Sequence, residues 1–353
     1  MQTVTIEGRQ GASRLLVGGR LDDLPQHVPL GKTVILTDQR VLDLYGQRFP
    51  PVPVVTIPPG EAHKTLASLE SIYGRLVELE ADRASVLVGI GGGIVCDVAG
   101  FAASTYLRGI RFGFVATTLL AQVDASVGGK NGVNFGGYKN MVGVFNQPAF
   151  VICDLELLKT LPPEQVQCGM AEIVKHGAIA DAGLFAFLEE NAEAAAALQP
   201  DVVERLVGDS VRIKAGVVNR DEREQGERRK LNFGHTFGHA VEKTTGVAHG
   251  QAVSVGMVIA AVLSVRRGML ARTEALRLVR LLQRVQLPVA LAFDAGRALD
   301  ALRRDKKREG DRLHFVLLET LGGAVVETVP LDELEAVLPL AADPQRLMAE
   351  LDG

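Results

Sequence analysis

Three of the seven histidines, His235, His239 and His249, fall within fifteen residues, and Glu172 stands in an apolar stretch, GMAEIVKHG, earlier in the chain. Imidazoles and a carboxylate are natural ligands for a divalent cation, and three of them plus a water make an open catalytic site. His235 and His239, at i and i+4, share a helix face and can ligate one ion, with Glu172 and a water completing the set. Spacing alone leaves open which two histidines bind. A lone histidine would usually be structural, so the grouping with a glutamate is what points to a metal.

A second kind of chemistry is written between Arg108 and Asn140, where Arg108, Arg111, Asp124, Lys130, Lys139 and Asn140 alternate with glycines and apolar residues. Cations beside adaptable backbone suit a clamp for phosphate, and the interleaved Val and Phe residues argue for a packed segment over a solvated basic loop. A third is the run Ser85–Ile90 followed by Gly91-Gly92-Gly93 and a helical pattern. Glycines between a buried strand and a helix let backbone N–H groups approach a pyrophosphate at the positive helix end. The spacing is not the Gly-x-Gly-x-x-Gly fingerprint, and a tight turn under steric pressure is the plainer reading. Asp97, one turn into that helix, is placed to accept from cofactor hydroxyls, although an acidic residue in a first turn also favours the helix dipole. Gly60-Glu61-Ala62-His63-Lys64 fits ribose or adenine contacts, with an exposed first-turn ion pair as the alternative.

These residues need elements to hold them. The first half alternates β-branched runs (Thr33–Thr37, Val52–Ile57, Ser85–Ile90, Phe112–Ala116, Phe150–Cys153) with helical spacing over Thr65–Glu80 and Ile94–Leu107, which predicts an α/β fold. After Leu161-Pro162-Pro163 the texture turns helical: Glu164–Ala180, Asp201–Val218, Phe233–Thr245, Gln251–Arg267 and Glu274–Val285. Only Leu313–Val329, around Gly322-Gly323, reads as a β-hairpin there. The expectation is an α/β N-terminal dinucleotide-binding domain over 1–161, a mainly helical metal- and substrate-binding domain over 162–353, and an active site in the cleft between them.

Bulk numbers agree with this and exclude other classes. At 353 residues the chain exceeds what one hydrophobic core usually serves, about 250–300 residues. A hydrophobic share of 47%, charged residues at 23% and a net charge of −4 are ordinary globular values and give no field to gather nucleic acid or anionic lipid. Cys96, Cys153 and Cys168, an odd and unclustered set, suggest a reducing compartment, and the first residues do not read as a signal peptide, so the cytoplasm is expected. The apolar run Ala252–Val265 is broken by Ser254, Gly256 and Ser264, and no membrane span is expected.

Taken together the segments resemble the dehydroquinate synthase family over nearly the whole chain. The resemblance is carried by Gly-Glu-x-x-Lys at 60–64, GGG with Asp97, ATTLLAQVDASVGGK, Lys139-Asn140, LKTLPP at 158–163, GMAEIVKHG, LNFGHTFGHAVE with His249-Gly250, and Asp305-Lys306-Lys307. It implies a zinc or cobalt ion on Glu172, His235 and His249, which displaces the helix-face pair and leaves His239 to meet substrate. It implies substrate-phosphate contacts from Lys130, Asn140, Asn232 and one of Lys306 and Lys307. Arg108 is implied to reach a neighbouring subunit's site in a homodimer. Lys214 and Arg228 look like carboxylate contacts, and Asp124 with Lys175 like a hydroxyl-positioning pair. NAD contacts carried over are Asp38, Gly60, Glu61, Lys64, Gly93, Asp97, Thr117, Thr118, Lys130, Lys139 and Thr160.

The implied reaction takes a phosphorylated seven-carbon sugar acid to a carbocycle through transient oxidation, phosphate elimination, re-reduction, ring opening and an aldol closure. Four departures are modest: Cys96 for a usual glycine, Asn131 for a usual threonine, Phe135 for a usual histidine and Gln251 for a usual glutamate. None removes a metal ligand or a charged substrate contact. Two enzyme alternatives are cyclases whose substrates lack a carboxylate, which have no use for Lys214 and Arg228, and a metal-dependent polyol dehydrogenase, which has no use for the cation cluster. A non-catalytic binding protein on the same fold is disfavoured because every metal and charged position is filled.

Overall fold

The computed structural model describes residues 1–8, 11–303, 308–309 and 312–352. The chain divides into two compact units, Met1–Leu161 with Lys214–Arg223, and Pro162–Ile213 with Glu224–Gly353.

The first unit holds strands β1 (Gln2–Gly8), β2 (Gly11–Val17), β3 (Thr33–Asp38), β4 (Val54–Ile57), β5 (Val86–Gly91), β6 (Arg111–Ala116), β7 (Lys130–Phe135), β8 (Tyr138–Phe145) and β9 (Phe150–Cys153), with helices α1 (Gln39–Tyr45), α2 (Leu66–Glu78) and α3 (Gly93–Thr105). Seven strands form one sheet in the order β1-β2-β9-β6-β5-β3-β4, parallel from β2 onward. Strands β5 and β9 are buried along their whole length, which is why they read as unbroken apolar runs rather than alternating ones. Ile35, Val86, Val88, Ile90, Val115, Phe150 and Ile152 make the core beneath them.

The chain steps from β3 outward to β4 and then returns to place β5 on the other side of β3. Such a reversal opens a crevice at the carboxyl ends of the strands, the usual ligand position in sheets of this kind. Helix α2 is capped by Thr65, whose hydroxyl accepts from Ser68 N, and buries Leu69, Ile72 and Leu76 at helical spacing. The antiparallel edge β1 receives cover from Asn219: Glu7 N donates to Asn219 Oδ1 at 2.9 Å, and Asn219 Nδ2 donates to Thr5 O at 3.3 Å.

Strands β7 and β8 form a separate two-stranded hairpin. The turn is Gly136-Gly137, both with positive φ (58° and 78°), the geometry a tight two-residue hairpin turn requires. From sequence this segment is expected to be a phosphate clamp, with no strands marked.

The second unit contains α4 (Pro163–Ala180), α5 (Ala182–Glu190), α6 (Ala192–Ala196), α7 (Pro200–Arg220, its last turns counted with the first unit), α8 (His235–Thr245), α9 (His249–Arg266), α10 (Arg272–Arg284), α11 (Ala295–Arg303), α12 (Leu331–Val337) and α13 (Pro344–Asp352). A small antiparallel sheet, β10 (Arg308–Glu309), β11 (Arg312–Thr320) and β12 (Gly323–Pro330), includes the hairpin expected at Gly322-Gly323. Helix α9 is apolar all round and mostly buried, long enough and apolar enough to cross a membrane by length and composition only; such a helix is also what a protein core uses.

Candidate functional site

In the helical unit, Glu172 sits midway along α4, while His235 and His249 are the first residues of α8 and α9. Three helices can bring these side chains together because glycines remove the padding between them. A Cβ on Gly256 would lie 1.9 Å from Gly234 O, and one on Gly250 would lie 2.5 Å from Cys168 Cα. Gly234 also has φ +77°, a left-handed conformation that glycine adopts without strain.

Glu172 Oε1 lies 3.5 Å from His235 Nε2 and 3.6 Å from His249 Nε2. Ligands about 2.0–2.1 Å from a tetrahedral zinc are roughly 3.3 Å apart, so the three atoms are spaced for one cation. The other heteroatom of each side chain is engaged. Glu172 Oε2 accepts from the buried Lys175 ammonium, His235 Nδ1 is 3.1 Å from Phe233 O, and His249 Nδ1 is 3.6 Å from a Glu242 carboxylate oxygen. Such outer contacts fix tautomer and ring orientation. Glu172 Oε1 itself is buried and has no hydrogen-bond partner among the described residues, an orphaned acceptor that a cation satisfies.

The electrostatics of Glu172 and His235 suit a cation site, whereas His249 has a proton to give up before it can ligate. Burial opposes the charge on Glu172, but Lys175 and the two imidazoles outweigh it and hold the carboxyl well below its ordinary range. Burial and the neighbouring Lys175 keep His235 neutral, the form that ligates. His249 is pushed up to about 9, because Glu172 and Glu242 together outweigh its burial.

His239, one turn beyond His235, is exposed, with ring centroids 5.3 Å apart. It also stands near Glu242 and His249 in a second group of ligand-type atoms. Arg228 is fully buried in the 3-10 turn Glu227–Asn232, and Asn232 at its end donates to Glu224 at 2.6 Å. Lys306 and Lys307 lie outside the described residues.

In the α/β unit, the residues carried over as cofactor contacts, apart from Lys130 and Lys139, follow the carboxyl ends of the parallel strands, where the order reversal places the crevice. Asp38 ends β3 and caps α1, accepting from Val41 N at 2.9 Å. Gly60, Glu61 and Lys64 follow β4; Gly93 and Asp97 follow β5; Thr117 and Thr118 follow β6; Thr160 follows β9 and shares a 2.6 Å hydrogen bond with Tyr45 Oη. The glycine turn is close-packed: a Cβ on Gly92 would lie 3.0 Å from Thr118 Cγ2 and one on Gly93 3.0 Å from Ala125 Cβ. Gly92 caps α3 without a side chain, so the first N–H groups of that helix carry no side-chain cap. Uncapped N–H groups at a helix N-terminus suit the pyrophosphate of a dinucleotide such as NAD.

Lys64, nearly buried, donates to Asp97 and, at 2.5 Å, to Asn140 Oδ1. Burial pushes Asp97 up to about 6 against the pull of Lys64. Asp124 lies in a single π-helical turn, Ala121–Ala125, and pairs with Lys214, whose ammonium also donates to the Asp124 carbonyl at 2.6 Å. Lys130, Lys139 and Asn140 are exposed on the β7–β8 hairpin, and Arg108 is exposed at the end of a 3-10 turn with φ +67°.

The departures from the family pattern are locally accommodated. Asn131 is buried, donating to Gly129 O and Asn146 O, and its Oδ1 would lie 2.0 Å from a Cβ on Gly100. Gln251 meets Gln167 at 3.4 Å. Cys96 is buried against Gly91 O, and burial pushes its thiol up, leaving it unreactive. Two residues that shape the site were passed over in the sequence: Glu242, seven residues after His235 and so on the same helix face, and Asn134, which no spacing rule marks.

Comparison with known proteins defines the class first. A 2-deoxy-scyllo-inosose synthase complexed with carbaglucose-6-phosphate, NAD+ and Co2+ is 27% identical, with a TM-score of 0.85 over 96% of this chain and 99% of that one. A 2-epi-5-epi-valiolone synthase from Streptomyces hygroscopicus subsp. jinggangensis, with NAD+ and Zn2+ bound, is 27% identical, with a TM-score of 0.86 over 94% of this chain and 96% of that one. A probable glycerol dehydrogenase from Sinorhizobium meliloti, at 17% identity and a TM-score of 0.68 over 94% of this chain and 96% of that one, shares the fold alone. The 3-dehydroquinate synthase N-terminal model matches residues 54–168 and the C-terminal model residues 169–308. A 3-dehydroquinate synthase from Halorhodospira halophila is 42% identical over 92% of this chain and 95% of its own length. The chain belongs to the 3-dehydroquinate synthase family.

Proposed function

We infer that the chain is an NAD- and divalent-metal-dependent carbon–oxygen lyase that converts 3-deoxy-D-arabino-heptulosonate 7-phosphate to 3-dehydroquinate and phosphate. The observation that carries this reading is the Glu172–His235–His249 trio, with its orphaned carboxylate oxygen, in a chain 42% identical to a curated synthase of that reaction.

When bound, NAD would supply a reversible hydride acceptor and the cation a Lewis acid for the hydroxyl oxygen on the carbon being oxidised. Glu172, His235 and His249 would hold the cation, and zinc and cobalt both suit that ligand set. On this reading Gly93 and the α3 N-terminus take the pyrophosphate, while Asp38, Gly60, Glu61, Lys64, Asp97, Thr117, Thr118, Lys139 and Thr160 line the remainder of the dinucleotide site. The family resemblance assigns Lys130, Asn140, Asn232, His239 and one of Lys306 and Lys307 to the substrate phosphate. Lys214 and Arg228 offer fixed positive charge to the substrate carboxylate, and Asp124 and Lys175 orient its hydroxyls. Arg108, exposed on a left-handed turn, is assigned to a neighbouring copy's site in a homodimer, and the cytoplasm is the compartment that fits three free cysteines.

The test is product identification. Protein, NAD, divalent metal and the heptulosonate phosphate should release inorganic phosphate stoichiometrically with 3-dehydroquinate, with no growth in NADH absorbance. Accumulating NADH would contradict a closed redox cycle, and equal turnover of a sugar phosphate lacking the carboxylate would favour the activities of the two solved cyclases.

A further inference from the structure

The turn after β4 and the β7–β8 hairpin are joined through Asn134 and Lys64. Asn134 N donates to Lys64 O at 2.9 Å, which places the backbone of Thr65 beside that of Asn134 in an isolated parallel bridge. Asn134 Nδ2 donates to Glu61 Oε1 at 2.8 Å, and its Oδ1 accepts from Asn140 N at 2.9 Å. Lys64 closes the ring by donating to Asn140 Oδ1. The hairpin is irregular here: Val133 pairs with Val142 and Phe135 with Tyr138, so Asn134 alone stands opposite Lys139, Asn140 and Met141. Bulges of this sort re-aim side chains beside active sites. Asn140 sits within this one at φ +49°, a left-handed conformation asparagine tolerates and most residues do not.

We propose that Asn134 is a positioning residue that sets the cofactor turn and the phosphate-facing bulge with the two ends of one amide, so that the two ligands' contacts are built or lost together. The inference rests on the assignment of Gly60–Lys64 to NAD and of Lys139 and Asn140 to NAD and substrate phosphate. The donor end fixes the Glu61 carboxylate. The acceptor end holds the Asn140 amide and with it the left-handed turn that presents Lys139 and Asn140. Both ends of the Asn134 side chain are taken by Glu61 and Asn140, so its loss acts on binding through those neighbours.

Asn134→Ala in the full-length, metal-loaded enzyme should raise the NAD Kd and the KM for the heptulosonate phosphate on the order of tenfold each, the size of one hydrogen bond to a charged group. Metal content should be unchanged and kcat less affected than either binding constant. Asn134→Asp keeps the acceptor for Asn140 N but sets a carboxylate against Glu61, and should therefore weaken NAD more than substrate. Constants within twofold of wild type in the Ala variant, or an Asp variant equal to wild type in both, would overturn the proposal. Should the Ala variant fail to fold, the Asp variant's unequal effect on the two constants decides alone. Wild-type enzyme that binds no NAD would overturn the cofactor assignment as well, whereas NAD binding indifferent to residue 134 would overturn only the role of Asn134.

Discussion

The metal trio and the cofactor turn solve the same problem of placing polar groups by different means. Glu172, His235 and His249 are carried by helices that meet backbone to backbone at glycines, so their spacing is set by main chain. Lys64, Glu61, Asp97 and Asn140 lie on a turn, a helix start and a bulged hairpin, and hold one another through side-chain hydrogen bonds. Main-chain placement cannot be repaired by changing a neighbour's side chain; side-chain placement can.

The largest effect that would sharpen this contrast is at Glu172. Glu172→Ala should remove bound metal, read by elemental analysis, and destabilise the metal-free protein by ~3–5 kcal/mol in urea unfolding, because Lys175 is left buried without its partner. Replacing both with Met should restore stability but not metal; metal retained in either variant would break the assignment.

Next come two glycine substitutions that ought to differ only in whether they can be rescued. Gly256→Ala meets a backbone oxygen and Gly100→Ala meets the Asn131 side chain, each near 2 Å (1.9 and 2.0 Å). Overpacking of this kind costs ~1–3 kcal/mol. Thermal unfolding should show Gly100→Ala recovered by adding Asn131→Ala, whereas truncating Met257, the side chain nearest Gly234, should not recover Gly256→Ala. Equal rescue of both would erase the distinction.

The smallest effect concerns Asp97. Its carboxyl, raised to about 6 from an ordinary 3.8, is charged at neutral pH and takes a proton as the pH falls through about 6. NAD affinity should fall about tenfold between pH 7 and pH 5 if the charged form accepts the cofactor hydroxyls. The same shift has the opposite sign for the unliganded fold: its stabilising contribution is complete below about 3.8 and is lost as pH rises through 6. Asp97→Asn should flatten both dependences, as followed by NAD titration and urea unfolding.

What could be read from the sequence follows the same divide. Buried parallel strands and long helices announce themselves through apolar runs and spacing, and the expected segments for β3, β5, β6, β9, α2, α4 and α7–α10 lie within a few residues of the observed ones. The β1–β2 hairpin was not expected, because Gln2–Gly8 alternates weakly and packs chiefly through Ile6. The hairpin at β7–β8 is hard to read from sequence although Gly136-Gly137 is a turn signal, because the cations and glycines around it read as a packed phosphate clamp. Local spacing paired His235 with His239, since i and i+4 are neighbours on any helix. That His235 Nε2 faces His249 and Glu172 depends on three helices crossing, which periodicity does not encode. The bond network around Asn134 was illegible for a related reason: it joins residues more than seventy positions apart.

One consequence concerns biosynthesis. The first unit is not contiguous, and the outer edge of β1 is covered by Asn219, which follows Glu7 by 212 positions. At about 5–20 residues per second, roughly ten to forty seconds pass before that cover exists. The nascent chain must therefore keep an unfinished edge strand from pairing with neighbours while the 212 positions between Glu7 and Asn219 are translated.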